Sequence, residues 1–256
     1  NTDHNRIQKE IHEFMAKLFP NENLRNYIWE HMASCLLGTN QNQTFNIYTG
    51  VGSNGKSVFV KLFSMVLGDY KGTVPISLIT QKRLSIGGTS SEVAQLKGLR
   101  YAVLNEPSKN DKINEGIMKE ITGGDPIQAR ELFKTSITFT PMFKLTCCTN
   151  SLFDIAANDE GTWRRIRVVD FESKFIDNPS KDPKDKEFKK DKTLENKFNE
   201  WAPILASMLI EIVNKTKGEV NDCKEVMASS KKYREQQDYL ARFVSEKIRE
   251  FVFNPN

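Results

Sequence analysis

Apolar positions recur at helical spacing through the first part of the chain. Ile7, Ile11, Phe14, Met15 and Leu18 form one stripe, and Leu24, Ile28, Met32, Cys35 and Leu36 form a second that ends at Gly38. Pro20, Asn21 and Asn23 punctuate the two, so the pattern predicts two helices. A polar turn from Thr39 to Thr44 leads into Phe45, Asn46, Ile47 and Tyr48, a short predicted strand. A glycine-rich turn follows, and then residues 58–67 return to helical periodicity before Gly68. Further strands are predicted over residues 72–76, 101–104, 144–148 and 166–169, with helical stretches between most of them. Strands alternating with helices imply an α/β fold with a mostly parallel central sheet covered on both faces. Residues 174–192 break the pattern, being dominated by Lys, Asp, Pro and Asn, and are predicted to form a surface loop or linker. Helical patterns resume over 194–213 and 225–252. The chain thus divides into an N-terminal helical region at 1–40, an α/β core at 41–175, a polar loop at 176–193 and a C-terminal helical segment at 194–256. No internal repeat interrupts this order.

Composition narrows the classes without choosing one. The 256 residues suit one large domain, or one plus an appendage. A hydrophobic content of 38% with 27% charged residues excludes wholesale disorder. No apolar run approaches the roughly 18 residues of a membrane-spanning helix, so no membrane partner is expected. The opening NTDHNRIQKE is polar, with neither an initiator Met nor an apolar signal core, and is expected to be a cut within a longer intracellular protein. Cys35, Cys147, Cys148 and Cys223 show no CxxC spacing, which argues against zinc and disulfides and for a reducing compartment. His4, His12 and His31 lack a metal-ligand pattern. In the stretch 181–192, Asp182, Asp185, Glu187 and Asp191 nearly cancel six lysines, so a solvated loop is expected there. A net charge of +4 does not by itself diagnose a nucleic-acid partner.

The chemistry is concentrated in three places. Gly50, Val51, Gly52, Ser53, Asn54, Gly55, Lys56 and Ser57 match GxxxxGK[ST] between a predicted strand and a predicted helix, the context that a phosphate-binding loop requires. Glycines let the backbone close around phosphate oxygens, and the following helix adds positive potential. Lys56 is expected to reach the β- and γ-phosphates of ATP and Ser57 to ligate Mg²⁺. Glu106, after the strand at 101–104, is expected to polarise water. Asn105 beside it can hydrogen-bond metal-bound water but adds no negative charge, which makes it a weak Mg²⁺ ligand. Asn150 ends a third apolar strand, where its amide could contact a γ-phosphate or an attacking water. Residues 126–141 alternate in character around a Lys-Thr-Ser turn and predict a β-hairpin ahead of that strand, with Gly123, Gly124, Asp125 and Pro126 as the turn that positions it.

Together, GVGSNGKS at 50–57, LNEP at 104–107, ITGGDPIQARELFKTSITFTP at 121–141, KLTCCTN at 144–150 and DEGTWRRI at 159–166 resemble the superfamily III helicases. The resemblance is to the poxvirus-type primase-helicases of large DNA viruses and related phage or plasmid primases, and it is strong over residues 24–175. It implies an AAA+-like P-loop ATPase with a hairpin before the sensor strand and flanking helices. It further implies a hexameric ring on single-stranded or forked DNA, and a primase domain elsewhere in the full-length chain. The setting would be viral genome replication, in host cytoplasm or nucleus. In that family's terms Lys56 and Ser57 are the Walker A pair, Glu106 the Walker B base and Asn150 the sensor. Arg164 and Arg165 match the paired arginines, one of which is an arginine finger acting across a subunit boundary. Lys134 would contact DNA phosphate with Phe133 as its neighbour, and Arg130 is a second basic candidate that could equally serve the nucleotide site. Asn105 departs from the family, which usually has an acid there. Two rivals share the same motifs: a P-loop ATPase that remodels or packages DNA without strand separation, and a nucleotide-dependent assembly module.

Overall fold

The computed structural model describes residues 2–80, 90–104, 106, 111–156 and 159–238. Helices α1 (Thr2–Leu18) and α2 (Glu22–Ser34) are separated at Asn21, whose side chain accepts from the Leu24 amide and starts the second helix. Strand β1 (Phe45–Thr49) leads through a tight loop into α3 (Lys56–Leu67). Then come β2 (Lys71–Val74), the short helices α4 (Ser77–Thr80) and α5 (Ser91–Ala94), β3 (Tyr101–Leu104) and α6 (Glu115–Gly123). Strands β4 (Ile127–Ala129) and β5 (Ile137–Phe139) form the antiparallel hairpin that the alternation predicts. They precede β6 (Lys144–Thr149), α7 (Glu160–Trp163) and β7 (Ile166–Asp170). A pair of three-residue strands, β8 (Lys174–Ile176) and β9 (Glu187–Lys189), precedes helices α8 (Phe198–Thr216) and α9 (Lys224–Gln237).

The main sheet has the order β2-β3-β6-β1-β7, and every neighbouring pair in it is parallel. Alternating side chains of each strand enter separate cores, as expected of a sheet buried on both faces. Tyr48, Tyr101, Val103 and Val169 face a layer built from α1, α2, α3 and α8. Phe45, Ile47, Ala102, Leu104, Leu145 and Cys147 face the other side, where α4, α6, Phe153 and Trp163 cover them. Helices from early and late in the chain therefore meet in one layer: Phe14 of α1 lies 5.7 Å from Trp201 of α8, ring to ring, and Trp201 donates to Glu10. Helix α9 closes the β7 edge, since Ser230 Oγ accepts from the Val168 amide at 2.9 Å. An unpaired edge is thereby protected.

Residues 174–192 depart from the predicted loop. Strands β8 and β9 pair in parallel, with Phe175 and Phe188 rings 5.8 Å apart and Lys174 paired to Glu187. Only a few apolar residues hold this pair together, and the surrounding charges hide them from any periodicity. Helix α8 begins later than predicted, after a 3-10 turn at Leu194–Lys197. The predicted continuation of the last helix to residue 252 lies outside the described residues.

A polar cluster is buried between α2 and β1. Tyr27 donates its hydroxyl to Asn46 Oδ1 at 2.6 Å, and Asn46 Nδ2 lies 3.4 Å from His31 Nδ1. His31 Nε2 is buried without a partner. Burial, reinforced by the Lys144 ammonium, pushes the imidazole down to about 3. Neutral His31 in the fold and a protonatable one at about 6.5 in the unfolded chain mean that the unfolded state binds more protons below that pH. Stability is therefore fully present above about 6.5 and falls as pH drops toward 3, by up to about 1.4 kcal/mol per pH unit. Between pH 6.5 and 5, urea unfolding of the wild type should lose stability on acidification, whereas His31→Gln should show a flatter profile; equal slopes would contradict the assignment.

Candidate functional site at the carboxyl edge of the sheet

Because the strands are parallel, the segments following β1, β3 and β6 emerge on one edge, where open α/β sheets bind ligands. The register aligns them: Thr49 is level with Thr149, and Leu104 with Cys147. The loop after β1 is tightly confined. Gly50 has φ +146°, and a Cβ there would stand 2.6 Å from the Phe171 carbonyl oxygen. Gly55 has φ +82°, and a Cβ there would stand 2.5 Å from Leu18. Ser53 adopts φ +62°, and its carbonyl accepts from the Phe175 amide at 2.8 Å, so β8 braces the loop from outside. Among the described residues, none accepts from the backbone N–H groups of Gly52, Ser53, Asn54 or Gly55. These donors sit at the start of the twelve-residue α3. Val51, Gly52, Ser53 and Ser57 are exposed. Asn54 is 4% exposed, its Oδ1 accepts from the Lys56 amide at 3.3 Å, and its Nδ2 has no partner.

Lys56 joins the three strand ends. Its ammonium, buried in the crevice, donates to the Gly50 carbonyl at 2.7 Å and to Asn150 Oδ1 at 3.0 Å. The Asn150 backbone N–H in turn donates to Glu106 Oε1 at 3.2 Å. Burial lowers the Lys56 pKa, opposed by the nearby Cys148 thiol and Glu106 carboxylate. An ammonium has three donors, and two are engaged here, which leaves one for an incoming anion. The cluster of unpaired N–H groups, the buried unpartnered Asn54 amide and the ammonium suit a polyphosphate. The exposed Ser57 hydroxyl stands where a phosphate-bound Mg²⁺ could be held. Among the described residues no group of three or more His, Cys, Asp or Glu could hold a metal by itself. Asn105 lies outside the described residues.

The remaining predicted residues occupy the opposite edge. Arg164 and Arg165 precede β7, and the Arg165 carbonyl accepts from the Phe45 amide at the start of β1. Five residues of strand, about 16 Å at about 3.3 Å each, separate them from the loop end of β1. Arg165 is buried, donates to the Gly161 carbonyl at 2.5 Å, and is lowered by burial and by its neighbour Arg164. Arg164 is exposed, and its Nη2 donates to Gln43 Oε1 at 2.9 Å. The hairpin joins the amino end of β6, on the same edge. At its tip Phe133 is 96% exposed with φ +59°, and Lys134 pairs with Glu131 at 2.5 Å. Arg130 is exposed, and its backbone exchanges hydrogen bonds with Ser90. Gln43 escapes sequence reasoning, since one glutamine in a polar turn carries no pattern.

A family described only as one of unknown function, DUF5906, matches residues 48–165. The chain is 37% identical over 246 residues to a protein of Acanthamoeba polyphaga mimivirus named "Putative helicase", covering 93% of this chain and 26% of that protein. It is 32% identical over 245 residues to a Frog virus 3 protein of the same name, covering 92% and 25%. It is 28% identical over 245 residues to a "Putative primase" of African swine fever virus, covering 91% and 25%. The chain thus spans about a quarter of the length of these three curated relatives. Among solved structures, the C-terminal region of NrS-1 superposes with a TM-score of 0.63 at 12% identity, covering 87% of this chain and 50% of that one, which establishes the shared fold. The chain fits a superfamily III-like domain of viral primase-helicases.

Proposed function

We propose that the chain is the ATP-hydrolysing motor of a DNA helicase in viral genome replication, an AAA+-like P-loop ATPase that moves on single-stranded DNA as a ring, hexameric by the family resemblance. The observation that carries this reading is the continuous link from Lys56 through Asn150 to Glu106 at one sheet edge. Such a link ties a phosphate-neutralising ammonium to a carboxylate able to take a proton from water. The names of the mimivirus, Frog virus 3 and African swine fever virus relatives support the replication role. We further propose that a primase domain lies elsewhere in the full-length protein, which works at the viral replication site. No described helix is long and apolar enough to cross a membrane.

On this reading each side chain has one task. The N–H groups of 52–55 and Lys56 neutralise and orient the phosphates, and Ser57 holds Mg²⁺. When bound, Mg–ATP supplies the transferable phosphoryl group and the divalent charge. Glu106 accepts the proton of the attacking water, and Asn150 keeps Glu106 and Lys56 in register. Arg164 and Arg165 are too far to serve their own loop, so an arginine acts on the next subunit's site. Arg164, exposed and attached by its guanidinium to one movable side chain, is the better fitted of the two. Lys134, Phe133 and Arg130 meet DNA at the hairpin.

A mixing experiment tests the shared site. Glu106→Gln and Arg164→Ala should each lose DNA-stimulated ATP turnover when alone. Mixed equally, about a quarter of interfaces combine an intact Glu106 with an intact Arg164, and turnover should return to that extent. A mixture as inactive as its components would refute action across subunits. Strand displacement on a forked substrate separates a helicase from an ATPase that remodels or packages DNA. Lys134→Ala should weaken single-stranded DNA binding and lower the salt slope by about 0.7 for each phosphate that is no longer neutralised. Glu131→Gln should strengthen binding by freeing Lys134; unchanged slopes in both variants would exclude the hairpin as the DNA contact.

A further inference from the structure

Gln43 lies in the turn between α2 and β1, with a left-handed backbone at φ +49°. Its side chain bridges the end of α6 and the residue that follows α7. Nε2 donates to the Gly123 carbonyl at 2.7 Å, and Oε1 accepts from Arg164 Nη2 at 2.9 Å. The Gly123 carbonyl is at the end of α6, and Gly124, at φ +84°, turns the chain from there into β4 and the hairpin. Asn40 adds a second tie to the same helix end, donating to the Thr122 carbonyl at 3.2 Å.

The backbone of Arg164 is fixed independently of Gln43. Its amide donates to the Glu160 carbonyl at 2.9 Å, and its carbonyl accepts from Arg167 Nη1 at 2.8 Å. Arg167 is itself held by both oxygens of Asp222, at 2.6 and 2.8 Å. The movable part of Arg164 is its guanidinium, and the Gln43 amide is the group that orients it. Helices α6 and α7 are clamped to each other, because Lys119 donates at 2.8 Å to Asp159, which caps α7 through Thr162. That clamp sits at the amino end of α7, whereas Arg164 follows the carboxyl end and is anchored through Arg167, so a displacement of the hairpin base shifts the Gly123 carbonyl relative to the Arg164 guanidinium. An amide that donates on one side and accepts on the other cannot follow both partners through such a shift without losing one bond.

We propose that Gln43 is a positioning residue that couples the base of the β4–β5 hairpin to the Arg164 guanidinium, so that a strand gripped at the hairpin changes the finger offered to the neighbouring site. This rests on the functional reading above. Two substitutions probe it in the full 256-residue chain. Gln43→Asn tolerates the left-handed backbone but shortens the side chain by one methylene, too short for both partners. Gln43→Glu keeps an acceptor for Arg164 and loses the donor to Gly123. Steady-state ATP turnover with and without single-stranded DNA, the KM for ATP, the Kd for DNA and the thermal midpoint are measured for each.

In both variants the ratio of DNA-stimulated to basal kcat should fall roughly tenfold, the scale of one charge-assisted hydrogen bond, with KM and Kd retained. Basal kcat should fall further in Gln43→Asn than in Gln43→Glu, a split that simple destabilisation does not give. A wild-type ratio in both variants overturns the proposal, as does a loss that tracks only the thermal midpoint. Lys56→Ala separates the two levels. If it abolishes turnover while the Gln43 variants keep the wild-type ratio, this inference alone fails. If wild type turns over no faster than Lys56→Ala, the ATPase reading fails and the coupling with it.

Discussion

The parallel direction of all five strands in the main sheet is the constraint from which the rest follows. It brings the ends of β1, β3 and β6 to one edge, where Lys56, Glu106 and Asn150 meet. It sends the starts of β6 and β7 to the other edge, where the hairpin and Arg164 stand. About 16 Å of strand keeps the two sets apart, beyond the reach of any side chain. On the proposed function, the crevice around Lys56 would bind phosphate while Arg164 stands too far away to serve it, and assembly with a second copy is the arrangement in which both become useful.

Burying a charged group is costly. Lys144 is buried, and its ammonium is satisfied by the Leu37 and Thr39 carbonyls at 2.9 and 2.6 Å, which fixes the turn leading to β1. Lys56 faces the same cost at the site, but its partners are a carbonyl and a neutral amide rather than a carboxylate in direct contact. The loop also holds Gly50, Ser53 and Gly55 at positive φ against Phe171, Phe175 and Leu18. Two of the three Lys56 donors are engaged by neutral groups, which leaves one that a bound polyphosphate would meet.

Much of this was legible in the sequence, and the reason is periodicity. Strands β1, β3, β6 and β7 and helices α1 to α3 leave long apolar patterns, so their kinds and order could be read directly. The loop from Gly50 to Ser57 was legible because its motif has fixed spacing and stands between a strand and a helix. The β8–β9 pair was hidden, since Phe175 and Phe188 are isolated among charges and pair across a loop. Gln43 was hidden for a different reason: its importance lies in two partners, Gly123 and Arg164, far away in sequence. The site's internal links, such as the Asn150 backbone N–H on Glu106, likewise depend on register between strands that no local pattern fixes.

The most direct test of the central claim is calorimetric titration of the chain with Mg–ATP, comparing wild type, Glu106→Gln and Lys56→Ala. Wild type and Glu106→Gln should bind with similar affinity, because the carboxylate acts on water rather than on the phosphates. Lys56→Ala should bind at least roughly tenfold more weakly, since no ammonium remains to meet the phosphates. Binding by Lys56→Ala as tight as that of the wild type would contradict the account.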